Sequence, residues 1–122
     1  MGLRCLLDTN VVLYHLAGRL AQPLEPADYY VSVISELELL SYPGLNPEME
    51  THIQSFLGEV TVVQLTQDIC KTTIELRRRN RIKLPDAIIA GTAKTLNATL
   101  VTNDENLFKL SGLTVTPATL HS

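Results

Sequence analysis

Short apolar runs alternate with longer stretches of helical spacing along the whole chain. Arg4-Cys5-Leu6-Leu7 ends at Asp8-Thr9-Asn10, and Val11, Val12, Leu13, Tyr14, Leu16 and Ala17 carry an apolar helix that Gly18 stops. Tyr29-Tyr30-Val31-Ser32 predicts a second strand, followed by a helix through Val33, Ile34, Leu37, Leu39 and Leu40 that Tyr42-Pro43-Gly44 breaks. Asn46-Pro47 predicts the cap and first turn of another helix, with Met49, Ile53, Phe56 and Leu57 on one side and Gly58 at its end.

Val60 to Leu65 is rich in β-branched residues and predicts a third strand. Thr66 then caps a helix with Ile69, Thr73, Leu76 and Asn80 facing inward. Leu84-Pro85-Asp86 opens a helix whose Ala87, Ile88, Ile89, Ala90, Gly91, Ala93 and Leu96 are apolar nearly all round, as in a buried helix that lies close to a sheet. Thr99 to Thr102 and Leu113 to Val115 predict the last two strands. Strands that alternate with helices and never meet in a hairpin imply an α/β fold: a parallel, Rossmann-like central sheet of four to five strands flanked by helices.

The 122 residues suffice for one domain over 1–122. No apolar run approaches the roughly 20 residues of a membrane span, and an acid at position 8 comes too early for a signal peptide. A cytoplasmic protein is expected. Cys5 and Cys70 show no metal-ligand spacing and read as buried small hydrophobes, and three scattered histidines define no centre.

Net charge is −3, which taken alone disfavours a nucleic-acid partner, but the charges are segregated. Between Arg19 and Lys71 there is no Lys or Arg, whereas Glu25, Asp28, Glu36, Glu38, Glu48, Glu50 and Glu59 fall there. Lys71, Arg77, Arg78, Arg79, Arg81 and Lys83 then arrive together, opposed by Glu75. Local fields decide what docks where.

In a parallel α/β sheet the loops at the carboxyl ends of the strands converge on one crevice. Asp8 follows strand one, Asp104 follows strand four, Asp86 opens the preceding helix, and Glu38 lies in the helix after strand two. Singly, each has an ordinary explanation as a helix cap, a dipole partner, a turn residue or a solvated side chain. Jointly, they sit beside buried segments with no cation near in sequence. Two unit charges about 4 Å apart repel by about 4 kcal/mol at an effective dielectric of 20, so such a cluster takes up protons or binds cations. All-oxygen ligands select Mg²⁺ or Mn²⁺, one or two ions, and the chemistry that follows is attack of water on a phosphodiester.

The segments Leu6-Leu7-Asp8-Thr9-Asn10-Val11, Ser32-Val33-Ile34-Ser35-Glu36-Leu37-Glu38-Leu39-Leu40, Leu84-Pro85-Asp86-Ala87-Ile88-Ile89-Ala90 and Leu100-Val101-Thr102-Asn103-Asp104 together resemble the PIN-domain family, most closely the VapC-type toxins of bacterial toxin-antitoxin pairs. The resemblance covers nearly the whole chain in the family's order. It implies a magnesium- or manganese-dependent endoribonuclease, dimeric, neutralised by a small antitoxin. Carried over by position, the catalytic and metal-binding acids are Asp8, Glu38, Asp86 and Asp104, with Asn10, Ser35 and Thr102 in support. Glu36 is the alternative to Glu38. Asn106 stands where many relatives carry a further acid, which bears on the second ion.

The run Arg77, Arg78, Arg79, Arg81 and Lys83 leads straight to Asp86 and is a candidate RNA-binding segment. Three successive helical residues spread over about 200°, so the three arginines cannot face one phosphate track. A solvated helix end and a seat for an acidic antitoxin tail are the other readings. A catalytically weak RNA- or protein-binding module is the alternative function. A Mg-dependent phosphotransfer domain fits less well: Asp8-Thr9-Asn10 carries no paired acid, and strand three ends in Gln64-Leu65. Tyr42, Leu45 and Phe56 are apolar candidates for a dimer face or for the core.

Overall fold

The computed structural model describes residues 2–121. The elements are β1 (Arg4–Leu7), α1 (Thr9–Leu16), β2 (Asp28–Ser32), α2 (Val33–Ser41), α3 (Pro47–Leu57), β3 (Thr61–Val63), α4 (Gln67–Arg79), α5 (Leu84–Leu96), β4 (Thr99–Val101), α6 (Glu105–Phe108) and β5 (Val115–Thr116). The five strands form one sheet in the order β3-β2-β1-β4-β5, and every pairing is parallel. The first strand therefore lies at the centre. Leu6 pairs with Tyr30 on one side and Leu100 on the other.

Alternation along β1 divides the core in two. Cys5 and Leu7 face a cluster with Val11 and Val12 of α1, Leu39 of α2 and Ile53, Phe56 and Leu57 of α3. Leu6 faces the opposite cluster, with Leu76 of α4, Ile89, Ala90 and Ala93 of α5, and Leu107 and Leu110. Both faces of a parallel sheet are thus covered, as its unbroken apolar strands require. The caps are those the sequence predicts: Asn46 Oδ1 accepts from Met49 N at 2.8 Å, and Thr66 Oγ1 from Ile69 N at 3.2 Å. Gly18, at φ +69°, follows the end of α1 in a conformation that glycine adopts freely.

The differences from expectation lie at edges. β3 starts at Thr61 and not Val60, and it stops at Val63, short of Leu65, because its neighbour β2 ends at Ser32, opposite Val63. β5 begins at Val115 and not Leu113, whose side chain packs on the core around Leu100 instead. The one-turn helix α6 has no counterpart in the sequence reading. Phe56 is core, Leu45 packs against the same cluster, and Tyr42 stays exposed, so of the three only Tyr42 remains available to a dimer face. Cys5 is buried, and burial pushes its thiol pKa up; Cys70 is half-buried, less enclosed than its apolar neighbours suggest. Among the described residues no helix is long and apolar enough to cross a membrane.

Candidate active site

The carboxyl ends of the central strands place the acids. Asp8, directly after β1, caps α1: its Oδ1 accepts from Thr9 N at 2.8 Å. The hydroxyl of Thr102, directly after β4, donates to Asp8 Oδ2 at 2.6 Å. Thr102 is wholly buried, and its oxygen also accepts the Asp104 N–H at 3.1 Å. One hydroxyl thereby joins the loops that carry Asp8 and Asp104. Asp104 in turn caps α6, accepting from Asn106 N at 3.0 Å.

Glu38 reaches the same place from α2. Thr9 Oγ1 lies 2.8 Å from Glu38 Oε1 and 2.7 Å from Ser35 Oγ. A hydroxyl has one proton and a carboxylate only accepts, so Thr9 donates to Glu38 and receives the Ser35 hydroxyl. Ser35 is buried one turn before Glu38 and acts behind the carboxylate. Asp86, half-buried, occupies the first turn of α5 just after Pro85.

These elements enclose a cleft of about 340 Å³ lined by Asp8, Thr9, Asn10, Tyr14, Glu38, Asp86, Asn103 and Asp104. Four expected acids and Asn10 share it. Glu36 does not line it, and Ser35 and Thr102 stand behind the wall. Arg77, Arg81 and Lys83 line a separate hollow, and Arg78 and Arg79 line neither. Thr9, Tyr14 and Asn103 were not anticipated. Tyr14 follows Asn10 by four residues and so shares its helix face, which was the available signal. Asn103 Nδ2 donates to Ala118 O at 3.0 Å while its Oδ1 accepts from Ala118 N at 2.8 Å, so it fastens the loop to the C-terminal segment.

Burial raises the pKa of Asp8 above the ordinary carboxylate value, against the lowering pull of its bonds to Thr102 and Thr9 N–H; Asp104 and Glu38 raise it further. Burial also raises that of Asp86, followed by the charges of Asp104, Asp8 and Glu38, with Lys83 opposing. No Lys or Arg lines the cleft.

Among the described residues no three His, Cys, Asp or Glu side chains stand in ready metal-ligand geometry. The donor set nevertheless fits a hard cation, because Mg²⁺ takes one or two carboxylates and fills its shell with water and phosphate oxygens. A larger hollow of about 560 Å³ lies between α1 and α3. It shares Tyr14 with the cleft, but its walls are mostly apolar and Glu48 is its one acid. Volume alone does not locate the chemistry.

The bond between Thr102 and Asp8 yields a first test. Thr102→Val keeps the shape and leaves a buried carboxylate oxygen without its donor, which costs about 1–3 kcal/mol. Urea unfolding at neutral pH is expected to show that loss; an unchanged midpoint and slope would refute the role given to this hydroxyl.

The PIN-domain family model matches residues 5–113. Several solved structures share the fold. A toxin-antitoxin complex from Klebsiella pneumoniae has 27% identity and a TM-score of 0.78, over 92% of this chain and 95% of that one. VapBC-1 from nontypeable Haemophilus influenzae has 25% identity and a TM-score of 0.73, over 94% and 98%. VapBC2 from Rickettsia felis, bound to a DNA fragment from the VapBC2 promoter, has 20% identity and a TM-score of 0.78, over 94% and 98%. No curated protein sequence matches the chain. The family model spans most of the chain and the fold agrees throughout, so the chain belongs to the PIN-domain family and resembles the VapC toxins of toxin-antitoxin systems.

Proposed function

We propose that the chain is a Mg²⁺- or Mn²⁺-dependent endoribonuclease and the toxin of a toxin-antitoxin pair, acting in the cytoplasm as one PIN domain over residues 1–122. The observation that carries this reading is the cleft that four carboxylates line without a lining cation. Its place at the carboxyl ends of β1 and β4 is where ligands bind in open α/β sheets. The likeness to a solved toxin-antitoxin complex supports a small antitoxin as partner, and the working form proposed with it is a homodimer.

Asp8, Glu38, Asp86 and Asp104 would hold one or two divalent ions. When bound, such an ion lowers the pKa of the attacking water and offsets the charge developing on the phosphodiester. The protein's own task is orientation. Thr102 and the Thr9 N–H each hold one oxygen of Asp8, and the Thr9 hydroxyl holds Glu38, so neither carboxylate is free to rotate away. Asn10 and Tyr14 add neutral polar groups to the wall, suited to hydrogen-bonding a phosphate or a water.

Incubation of the purified chain with RNA is expected to give internal cleavage in Mg²⁺ or Mn²⁺ and none in EDTA. Intact RNA at every divalent concentration would refute the nuclease reading and leave the binding module. Metal-free stability reports the same cleft independently of the substrate. Carboxyls whose folded pKa is raised bind more protons in the folded state than in the unfolded one. Metal-free stability is therefore expected to fall as pH rises through the raised pKa values of Asp8 and Asp86. Mg²⁺ at 100 times its Kd is expected to return about 2.7 kcal/mol at neutral pH, visible as a higher Tm. A Tm indifferent to Mg²⁺ and Mn²⁺ would count against the ion.

A further inference from the structure

The basic run is divided by the structure. α4 ends at Asn80, whose Nδ2 donates to Leu76 O at 3.0 Å, and α5 begins after Lys83, so residues 80–83 form a short loop. Asn80 and Lys83 both have extended backbone. Ile82, between Arg81 and Lys83, packs against the core cluster that holds Leu76 and Ile89, while both cations are exposed. Arg77 donates its Nε–H to Ile82 O at 3.3 Å, which commits one of the five guanidinium donors and leaves four. The loop is thus held at both ends and at its middle.

Arg77, Arg81 and Lys83 line one open hollow of about 480 Å³ with Asn80 and Ile82, and no acid lines it. Lys83 of this hollow is also the N-cap residue of α5, the helix whose first turn carries Asp86. It stands one turn before Asp86, close enough for its charge to act on the Asp86 carboxyl. A polyanion approaching four carboxylates is repelled, and Arg81 and Lys83 on the loop, with Arg77 in the last turn of α4, supply a positive field on one side of them.

Resting on the nuclease reading above, we propose that the α4–α5 junction is a phosphate grip for single-stranded RNA: Arg77 at the end of α4 and Arg81 and Lys83 on the loop hold the backbone next to the phosphate that lies over the acids, and Arg78 and Arg79 take no part. The loop reads phosphate and no base, because no aromatic side chain lines the hollow. The grip sets affinity and register on the strand, and the cleft performs the cut.

The test compares two paired substitutions that remove equal charge. Arg81→Ala with Lys83→Ala strips the grip; Arg78→Ala with Arg79→Ala strips only the outer face of α4. Arg77 is spared because its bond to Ile82 O also holds the loop. Binding of a short labelled single-stranded RNA is measured in Mg²⁺ in an Asp86→Asn background, and cleavage with native Asp86. The grip pair is expected to weaken binding about tenfold near 0.1 M salt and to flatten the slope of log K against log salt by about 1.4, at 0.7 per lost phosphate contact. It raises KM and leaves kcat nearly unchanged, whereas the outer pair leaves the slope as it was. Equal effects of the two pairs, or none from either, overturn the grip. If the grip pair keeps RNA affinity but loses binding to an Asp/Glu-rich peptide, the loop serves a protein partner and the RNA proposal fails. RNA that binds with the expected slopes but is never cut in Mg²⁺ or Mn²⁺ leaves the grip standing and removes the nuclease reading.

Discussion

Asp86→Asn is expected to abolish detectable RNA cleavage, a loss of at least about a hundredfold, while the fold stays intact. Even groups that only orient a metal ligand cost 10- to 100-fold when removed, and a ligand costs at least as much. The amide is nearly isosteric with the carboxyl, and Asp86 is half-buried at a helix start, so packing on the sheet does not depend on its charge. The raised pKa of Asp86 shows that its ionised form is disfavoured by burial and by Asp104, Asp8 and Glu38. Without a divalent ion the variant should therefore melt no lower than the native chain at neutral pH, and the Tm rise on adding Mg²⁺ should shrink. Cleavage at the native rate would sink the assignment of Asp86. Loss of activity together with a collapsed Tm would mean that the residue is structural.

Gly91→Ala is expected to destabilise the protein by about 1–3 kcal/mol, contrary to the roughly 1 kcal/mol by which helix propensity favours alanine. Gly91 of α5 lies against Thr73 of α4. A Cβ there would meet Thr73 Oγ1 at 2.5 Å, Thr73 N at 3.2 Å and Thr73 Cα at 3.3 Å. Two of those atoms belong to the backbone and cannot turn aside, so the helices must separate. The Thr73 hydroxyl is itself buried without a hydrogen-bond partner. Thr73→Ala alone should then be neutral or stabilising, and it should recover part of the Gly91→Ala loss in the double variant. Urea unfolding of the four proteins measures the coupling directly. Strictly additive changes would show that the two helices do not meet here as described. The contact also bears on function, because α4 ends in the basic loop and α5 begins with Asp86, and their separation sets the distance between the two.

How much of this was legible in the sequence depends on the range of the interaction. Asp8, Asp86 and Asp104 stand at the ends of strongly patterned segments, and local pattern plus the geometry of parallel sheets was enough to bring them to one end of the sheet. Glu38 against Glu36 needed family resemblance, and the structure puts Glu38 in the cleft through Thr9, 29 positions away. Nothing local marks such a partner. α6 escaped because one turn capped by Asp104 is too short for periodicity to register. The register of β5 was set by its neighbour β4 and not by its own residues. Gly91 was legible as a small residue on a buried helix, but the identity of its neighbour required the α4–α5 packing.

The central place of β1 has a consequence for biosynthesis. The strand made first is flanked by β2 and by β4, and Asp8 waits for Thr102, 94 positions later, to hold its second oxygen. The cleft needs the loop after β4, so a chain interrupted before that loop carries Asp8, Glu38 and Asp86 without the wall that Asn103 and Asp104 supply. On the nuclease reading proposed above, the topology withholds the cut until the loop after β4 has been made.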